Sequence, residues 1–136
     1  MPTDAQNLAA SIARLNRRLR QERRSELTPT QLSVLSVVRK IGPATPSAIA
    51  ALERVQPPSI TRTLTGLVDG GYALKTPDPH DGRQVQIKIS ALGETTLANE
   101  RSRRDQWLAR QLDELALEDR ATLRQAAKIM RDLADT

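Results

Sequence analysis

Apolar residues recur at spacings of three and four almost throughout this chain, and at a spacing of two in one short stretch. Leu8, Ile12, Leu15 and Leu19 step by four, three and four, a narrow stripe of the kind one helix presents to another. Arg14, Arg17, Arg18, Arg20, Arg23 and Arg24 cover the other faces. The run ELTPTQLSVLSVVRKIGP carries full helix punctuation. Thr28 is an N-cap, Pro29 takes the first helical position, Gln31 completes a capping box, and Gly42-Pro43 stop the helix. Its predicted core face is Leu32, Leu35, Val38 and Ile41, widened by Val34 and Val37. TPSAIAALE repeats the start signal at Thr45 and Pro46 for about two turns, with Ile49 and Leu52 expected inward. In VQPPSITRTLTGLVDGG, Ile60, Leu64, Leu67 and Val68 fall at i, i+4, i+7 and i+8, a single buried stripe that Gly70-Gly71 end.

The period then changes. Leu74 and Lys75 begin a strand, residues 77–82 make a turn, and Val85, Ile87 and Ile89 alternate with Gln84, Gln86 and Lys88. From Ser90, an N-cap, helix returns. Leu92, Leu97, Leu108, Leu112 and Leu115 mark it, with Arg101, Arg103 and Arg104 interrupting the stripe. A break near Ala116–Glu118 precedes a last helix bearing Leu123, Ala127, Met130 and Leu133. The expected fold is mainly α with a small β-hairpin wing: a winged helix-turn-helix domain over residues 28–90, and a helical lobe from residues 1–27 and 91–136. The stripes of the terminal helices find no partner inside a wing domain, so a second copy of the chain is the expected one. Leu8, Ile12, Leu15, Leu112, Leu115, Leu123, Met130 and Leu133 are the expected dimerisation residues.

Opposite the buried stripe, the third helix of the helix-turn-helix series carries Pro58, Arg62 and Thr65, flanked by Ser59 and Thr61. These are small polar groups around one guanidinium. Such a face fits a major groove, where Arg bonds bidentately to guanine; an ordinary solvated face has the same pattern. A hairpin tip carrying Arg83 can reach the adjacent minor groove. Asp81, two residues earlier, is expected to hold that guanidinium in an aimed pose, the alternative being an incidental surface ion pair worth under about 1 kcal/mol. Thr45, Ser47, Pro57 and His80 complete the candidate DNA-facing set.

Charge supports this reading and narrows it. The net charge is +5, from 21 Lys and Arg against 16 Asp and Glu, which favours a polyanionic partner. The excess is not central: the segment 41–90 carries 5 basic and 4 acidic side chains, so a few placed residues must do the work. With one Tyr, one Trp and no Phe, the chain cannot build the stacking platforms of RNA and single-strand binders, which leaves duplex DNA. The absence of Cys and the lone His80 exclude disulfides, thiolate chemistry and multi-His metal sites within one chain. No metal and no cofactor is expected. No apolar run is long enough to span a bilayer and no signal peptide pattern opens the chain; a cytoplasmic protein without a membrane partner is expected.

The order of these elements, with LTPTQLSVL, PPSITRTLTGLVDGGY and DGRQVQIKISALGE, resembles the MarR family of bacterial winged-helix regulators over nearly the whole chain. The wing match is the most specific. The family pattern of Asp-x-Arg, an alternating strand and a Ser/Thr-x-x-Gly helix start corresponds to Asp81, Arg83, Ser90 and Gly93. PSITRTL is similar to the recognition helix of the SlyA branch. The resemblance implies a homodimer on a palindromic operator, commonly a repressor, released by small aromatic or phenolic acids such as salicylate. It assigns Ser59, Thr61 and Arg62 to the groove and Arg83 to the wing, with Asp81 orienting it. It places an effector pocket among the first, second and fifth helices, with Arg14, Arg17 and Arg18 meeting a ligand carboxylate and Trp107 as a wall. The chain departs from the family at Gln56, where a better N-cap is usual. Two other readings stand beside this one: a winged-helix protein–protein module, and a DNA binder without an effector. An enzyme is not expected, since the only nucleophile–base candidates involve His80 on an exposed turn.

Overall fold

The computed structural model describes residues 1–136. Six helices and one antiparallel hairpin follow in the order α1 Asp4–Arg20, α2 Pro29–Ile41, α3 Pro46–Glu53, α4 Pro57–Asp69, β1 Ala73–Pro77, β2 Val85–Ile89, α5 Ala91–Asp113 and α6 Leu117–Ala134. They divide into two compact units, Arg23–Ser102 and Met1–Glu22 with Arg103–Thr136. The division falls inside α5.

The Arg23–Ser102 unit holds the apolar core. Leu35, Val38, Ile49 and Leu67 are fully buried, and Ile60, Leu64, Ala73, Ile87 and Leu97 pack with them. Three helix starts are cleanly built. The Thr28 hydroxyl accepts from Gln31 N–H while the Gln31 side chain accepts from Thr28 N–H. Thr45 accepts from Ala48 N–H, and Ser90 accepts from Gly93 N–H. Each supplies an acceptor to a backbone donor that has no intrahelical partner. α4 starts without a side-chain cap at Gln56. Arg54 ends α3 in the left-handed region, at φ 58°, and turns the chain into α4.

The hairpin pairs Ala73 with Ile89 and Pro77 with Val85 at its two ends. The middle of β2 is fastened to the connection between α2 and α3. Ala44 N–H donates to Ile87 O at 3.0 Å, and Ile87 N–H donates to Ala44 O at 2.8 Å. The start of α5 is fastened too: the Ser90 hydroxyl donates to Gly71 O, and Ser90 N–H donates to Tyr72 O. Further along α5, the buried Glu100 carboxylate accepts from Arg24 N–H at 3.0 Å and Ser25 N–H at 2.8 Å, gripping the segment that leads into α2.

Several details differ from the sequence expectation. Leu52 is 50% exposed. Ile49 and Ala50 point inward, and at about 100° per residue Leu52 falls well off their shared direction. Ile41 and Val68 are only partly buried. The first strand begins at Ala73 and runs to Pro77, because Ala73 is buried opposite Ile89; the turn therefore spans 78–84 rather than 77–82. The break before the last helix lies at 114–116, with Leu115 inside it. Glu118 and Asp119 belong to the first turn of α6, where acidic groups complement the helix dipole.

In the other unit, α1 and α6 bury no residue at all. Leu8, Ile12, Leu15, Leu123, Met130 and Leu133 are all exposed, each by 40% or more. The α1 start has its own capping box, Thr3 with Gln6. Arg18 lies over the Trp107 ring at 4.3 Å from its centroid and pairs with Glu22 at 2.9 Å. No helix is long and apolar enough to cross a membrane.

Candidate nucleic-acid interface

Burying Ile60, Leu64 and Leu67 leaves the opposite side of α4 to solvent. Pro57, Pro58, Ser59, Thr61, Arg62 and Thr65 are all exposed there. Arg62 is the one cation on this helix, and no side chain around it is bulky enough to hold a partner away. The hydroxyls are not equivalent. Thr61 Oγ1 donates to Pro57 O at 3.0 Å, and Thr63 Oγ1 donates to Ser59 O at 3.1 Å. At the helix start, Pro57 and Pro58 have no N–H, and Ser59 N–H and Ile60 N–H both donate to Gln56 O. The first turn thus offers no free backbone donor of its own.

The wing is held by a carboxylate the sequence reading passed over. Asp78 Oδ1 accepts from His80 N–H at 2.8 Å and Asp81 N–H at 3.2 Å, and Oδ2 accepts from the Gln86 side chain at 3.4 Å. The His80 N–H bond is the main reason its pKa lies below the ordinary carboxylate value; desolvation opposes it as the next largest effect, and the Asp81 N–H, the nearby His80 ring and Gln86 lower it further. Because the folded pKa is depressed, the stabilisation is present above the unfolded pKa and is lost as pH falls through the folded one. The tether is therefore intact at neutral pH and lost only in strongly acid solution. Asp78→Ala is expected to speed amide hydrogen exchange at His80 and Asp81 at pH 7 while leaving Ile87 protected. Equal exchange in variant and wild type would show that the tip does not depend on this carboxylate.

Asp81 meets Arg83 twice, through the backbone and through the side chain. Its Oδ1 accepts from the backbone N–H of Arg83 at 3.1 Å, while the Arg83 Nε lies 3.9 Å away on a side chain that is 96% exposed. The carboxylate shapes the turn and stands at ion-pair distance from a guanidinium that projects into solvent. The structure brings His80, Asp81 and Arg83 together on this tip. Thr45 caps α3, and Ser47 is exposed in its first turn. Between α4 and the wing lies a cleft of about 300 Å³ lined by Pro46, Thr61, Thr65, Lys75, Val85 and Ile87 among others. Thr61 and Thr65 thus stand between the cleft and the outer face.

Of the candidate effector residues, Arg18 and Trp107 are stacked together, and Arg18 is already engaged by Glu22. Arg14 and Arg17 are exposed on α1.

The profile of the MarR family matches residues 27–85, the helix-turn-helix and most of the wing. An HTH-type transcriptional regulator of Mycobacterium tuberculosis is 39% identical over 132 residues, covering 96% of this chain and 92% of the relative. The crystal structure of a transcriptional regulator protein from Pseudomonas aeruginosa PA01 superposes with a TM-score of 0.87 at 30% identity, over 99% of both chains. FabT of Streptococcus pneumoniae, solved in complex with DNA, shares the fold at a TM-score of 0.76 and 18% identity, covering 97% of this chain and 98% of its own. A winged helix whose exposed α4 face carries one Arg among small side chains thus coincides with kinship over nearly the full length, and the chain belongs to the MarR family of DNA-binding transcriptional regulators, which are not enzymes.

Proposed function

We propose that the protein is a sequence-specific, ligand-responsive repressor that acts in the cytoplasm as a homodimer on a palindromic operator and leaves it when a small aromatic acid binds. One observation carries the reading: Arg62 stands alone among small exposed side chains on α4, with the solvent-exposed Arg83 guanidinium on a fastened wing. Side chains that reach base edges need this openness. The domain limits follow the same division of labour, with residues 28–90 binding DNA and residues 1–27 and 91–136 pairing the chains. The exposed apolar stripes of α1 and α6 support pairing, since unpartnered apolar faces of this length on a basic protein call for a like surface. In the pair, two recognition helices spaced about one turn of DNA apart, roughly 34 Å, would fit one operator. A ligand that prefers another spacing shifts the population away from DNA.

The test is fluorescence anisotropy on the gene's own upstream duplex and on a scrambled duplex, across salt concentrations, with and without salicylate. The expected result is binding to the upstream duplex at least about a thousandfold tighter than to the scrambled one, loosened by salicylate. Equal affinity for both duplexes would turn the search to protein partners. A second reading, DNA binding without an effector, is favoured by the engagement of Arg18 with Trp107 and Glu22. Specific binding that a panel of aromatic acids leaves unchanged would establish it.

A further inference from the structure

We infer that Thr61 reads thymine through its methyl group, so that each half-site places a thymine 5-methyl beside the guanine bound by Arg62. This rests on the DNA-binding reading above and deepens it. The Thr61 hydroxyl hydrogen is committed to Pro57 O at 3.0 Å, which fixes the side chain and removes it as a donor to a base. The oxygen can then only accept, and the methyl is the apolar group the side chain has for a partner. Pro58 precedes Thr61 by three residues, and positions i and i+3 are neighbours on a helix surface. The pyrrolidine ring has no N–H to offer, and the amides of Ser59 and Ile60 are bonded to Gln56 O. Pro58 and Thr61 therefore form a short apolar strip with no hydrogen-bond donor, alongside Arg62, which follows Pro58 by four. In the major groove the apolar feature that distinguishes base pairs is the thymine C5-methyl, which Thr and Ala methyls contact in direct readout. A Thr donating from its hydroxyl would read differently; here the back-bond takes that donor away.

The experiment starts by selecting bound duplexes from a random pool with the full-length protein. Each thymine of the enriched site is then replaced singly by deoxyuridine, which removes only the 5-methyl. Wild type, Thr61→Ser and Thr61→Val are compared by anisotropy. Removing one buried methyl is expected to weaken wild-type binding about fourfold per half-site, or about fifteenfold when both half-sites carry deoxyuridine. Thr61→Ser keeps the hydroxyl and loses the methyl; it is expected to bind the thymine site as wild type binds the deoxyuridine site, and to ignore the replacement. Thr61→Val keeps a methyl without the hydroxyl and is expected to retain the preference. The inference is overturned if no deoxyuridine weakens wild type, or if it weakens wild type and Thr61→Ser equally. A pool that yields no enriched sequence overturns the DNA-reading itself, and the inference with it.

Discussion

Arg62→Ala is expected to abolish most sequence discrimination while leaving the fold and non-specific DNA affinity nearly unchanged. The side chain is exposed on α4 and contributes nothing to the core beneath it, which Ile60, Leu64 and Leu67 fill. Its removal leaves no cavity and no unpaired buried group. A bidentate Arg–guanine contact is worth about 1–3 kcal/mol of discrimination, so each half-site should lose roughly tenfold to a hundredfold in preference over scrambled DNA. Non-specific affinity is set by the sum of phosphate attraction, and one charge among 21 changes it little. Arg62→Lys sharpens the measurement: it keeps the charge but not the planar fork. The variants are compared by competition anisotropy at one fixed salt concentration. If Arg62→Lys restores discrimination, or if Arg62→Ala weakens both duplexes by the same factor, Arg62 contacts phosphate and another group reads the base.

The second large effect is expected at Gly93, and its sign is opposite to what helix propensity alone gives. Gly93 lies in the first turn of α5, where Ala would ordinarily gain close to 1 kcal/mol. Here a Cβ would stand against the Tyr72 carbonyl oxygen and only 2.7 Å from Ile89 Cγ1. That carbonyl already accepts from Ser90 N–H, so moving it breaks a bond at the junction where the wing, the end of α4 and the start of α5 meet. Strain and a lost buried hydrogen bond together should cost about 3 kcal/mol, lowering the melting temperature by roughly 10 °C. Thermal unfolding followed by circular dichroism reads this directly. A melting temperature equal to or above wild type would mean that the junction yields freely, and that the close approach of α5 to Tyr72 is not a requirement of the fold.

The elements legible in the sequence are those that local chemistry decides. The Thr28 and Thr45 caps, the prolines after them, the stripe from Ile60 to Val68 and the alternation from Val85 to Ile89 each depend on neighbours within a turn or two. What escaped is non-local. Ala73 has weak strand preference and is a strand residue because Ile89 lies opposite it. Glu100 holds Arg24 and Ser25 from 76 and 75 residues away, a distance at which no spacing pattern exists. Leu52 looked inward because apolar residues usually do, but the direction of a two-turn helix is set by which two residues its neighbours can cover.

The candidate site divides the same way. Which residues face outward on α4 followed from periodicity, whereas the partner of each polar atom did not. Asp81 was expected on a guanidinium, and the same carboxylate oxygen also takes the backbone N–H of Arg83, which no spacing announced. Asp78 carries the wing tip without any motif announcing it. Turn conformation, not residue spacing, decides which donor a short carboxylate meets.

The bare faces of α1 and α6 have one more consequence. A unit in which neither helix buries a residue has little to hold it folded by itself. In the proposed pair, folding of this unit and association of two chains become a single equilibrium, governed by mass action. The concentration of the protein in the cell then sets how much operator is occupied and also how much of the chain outside the winged helix is folded. A regulator of this kind carries a threshold in its own abundance, independent of any ligand.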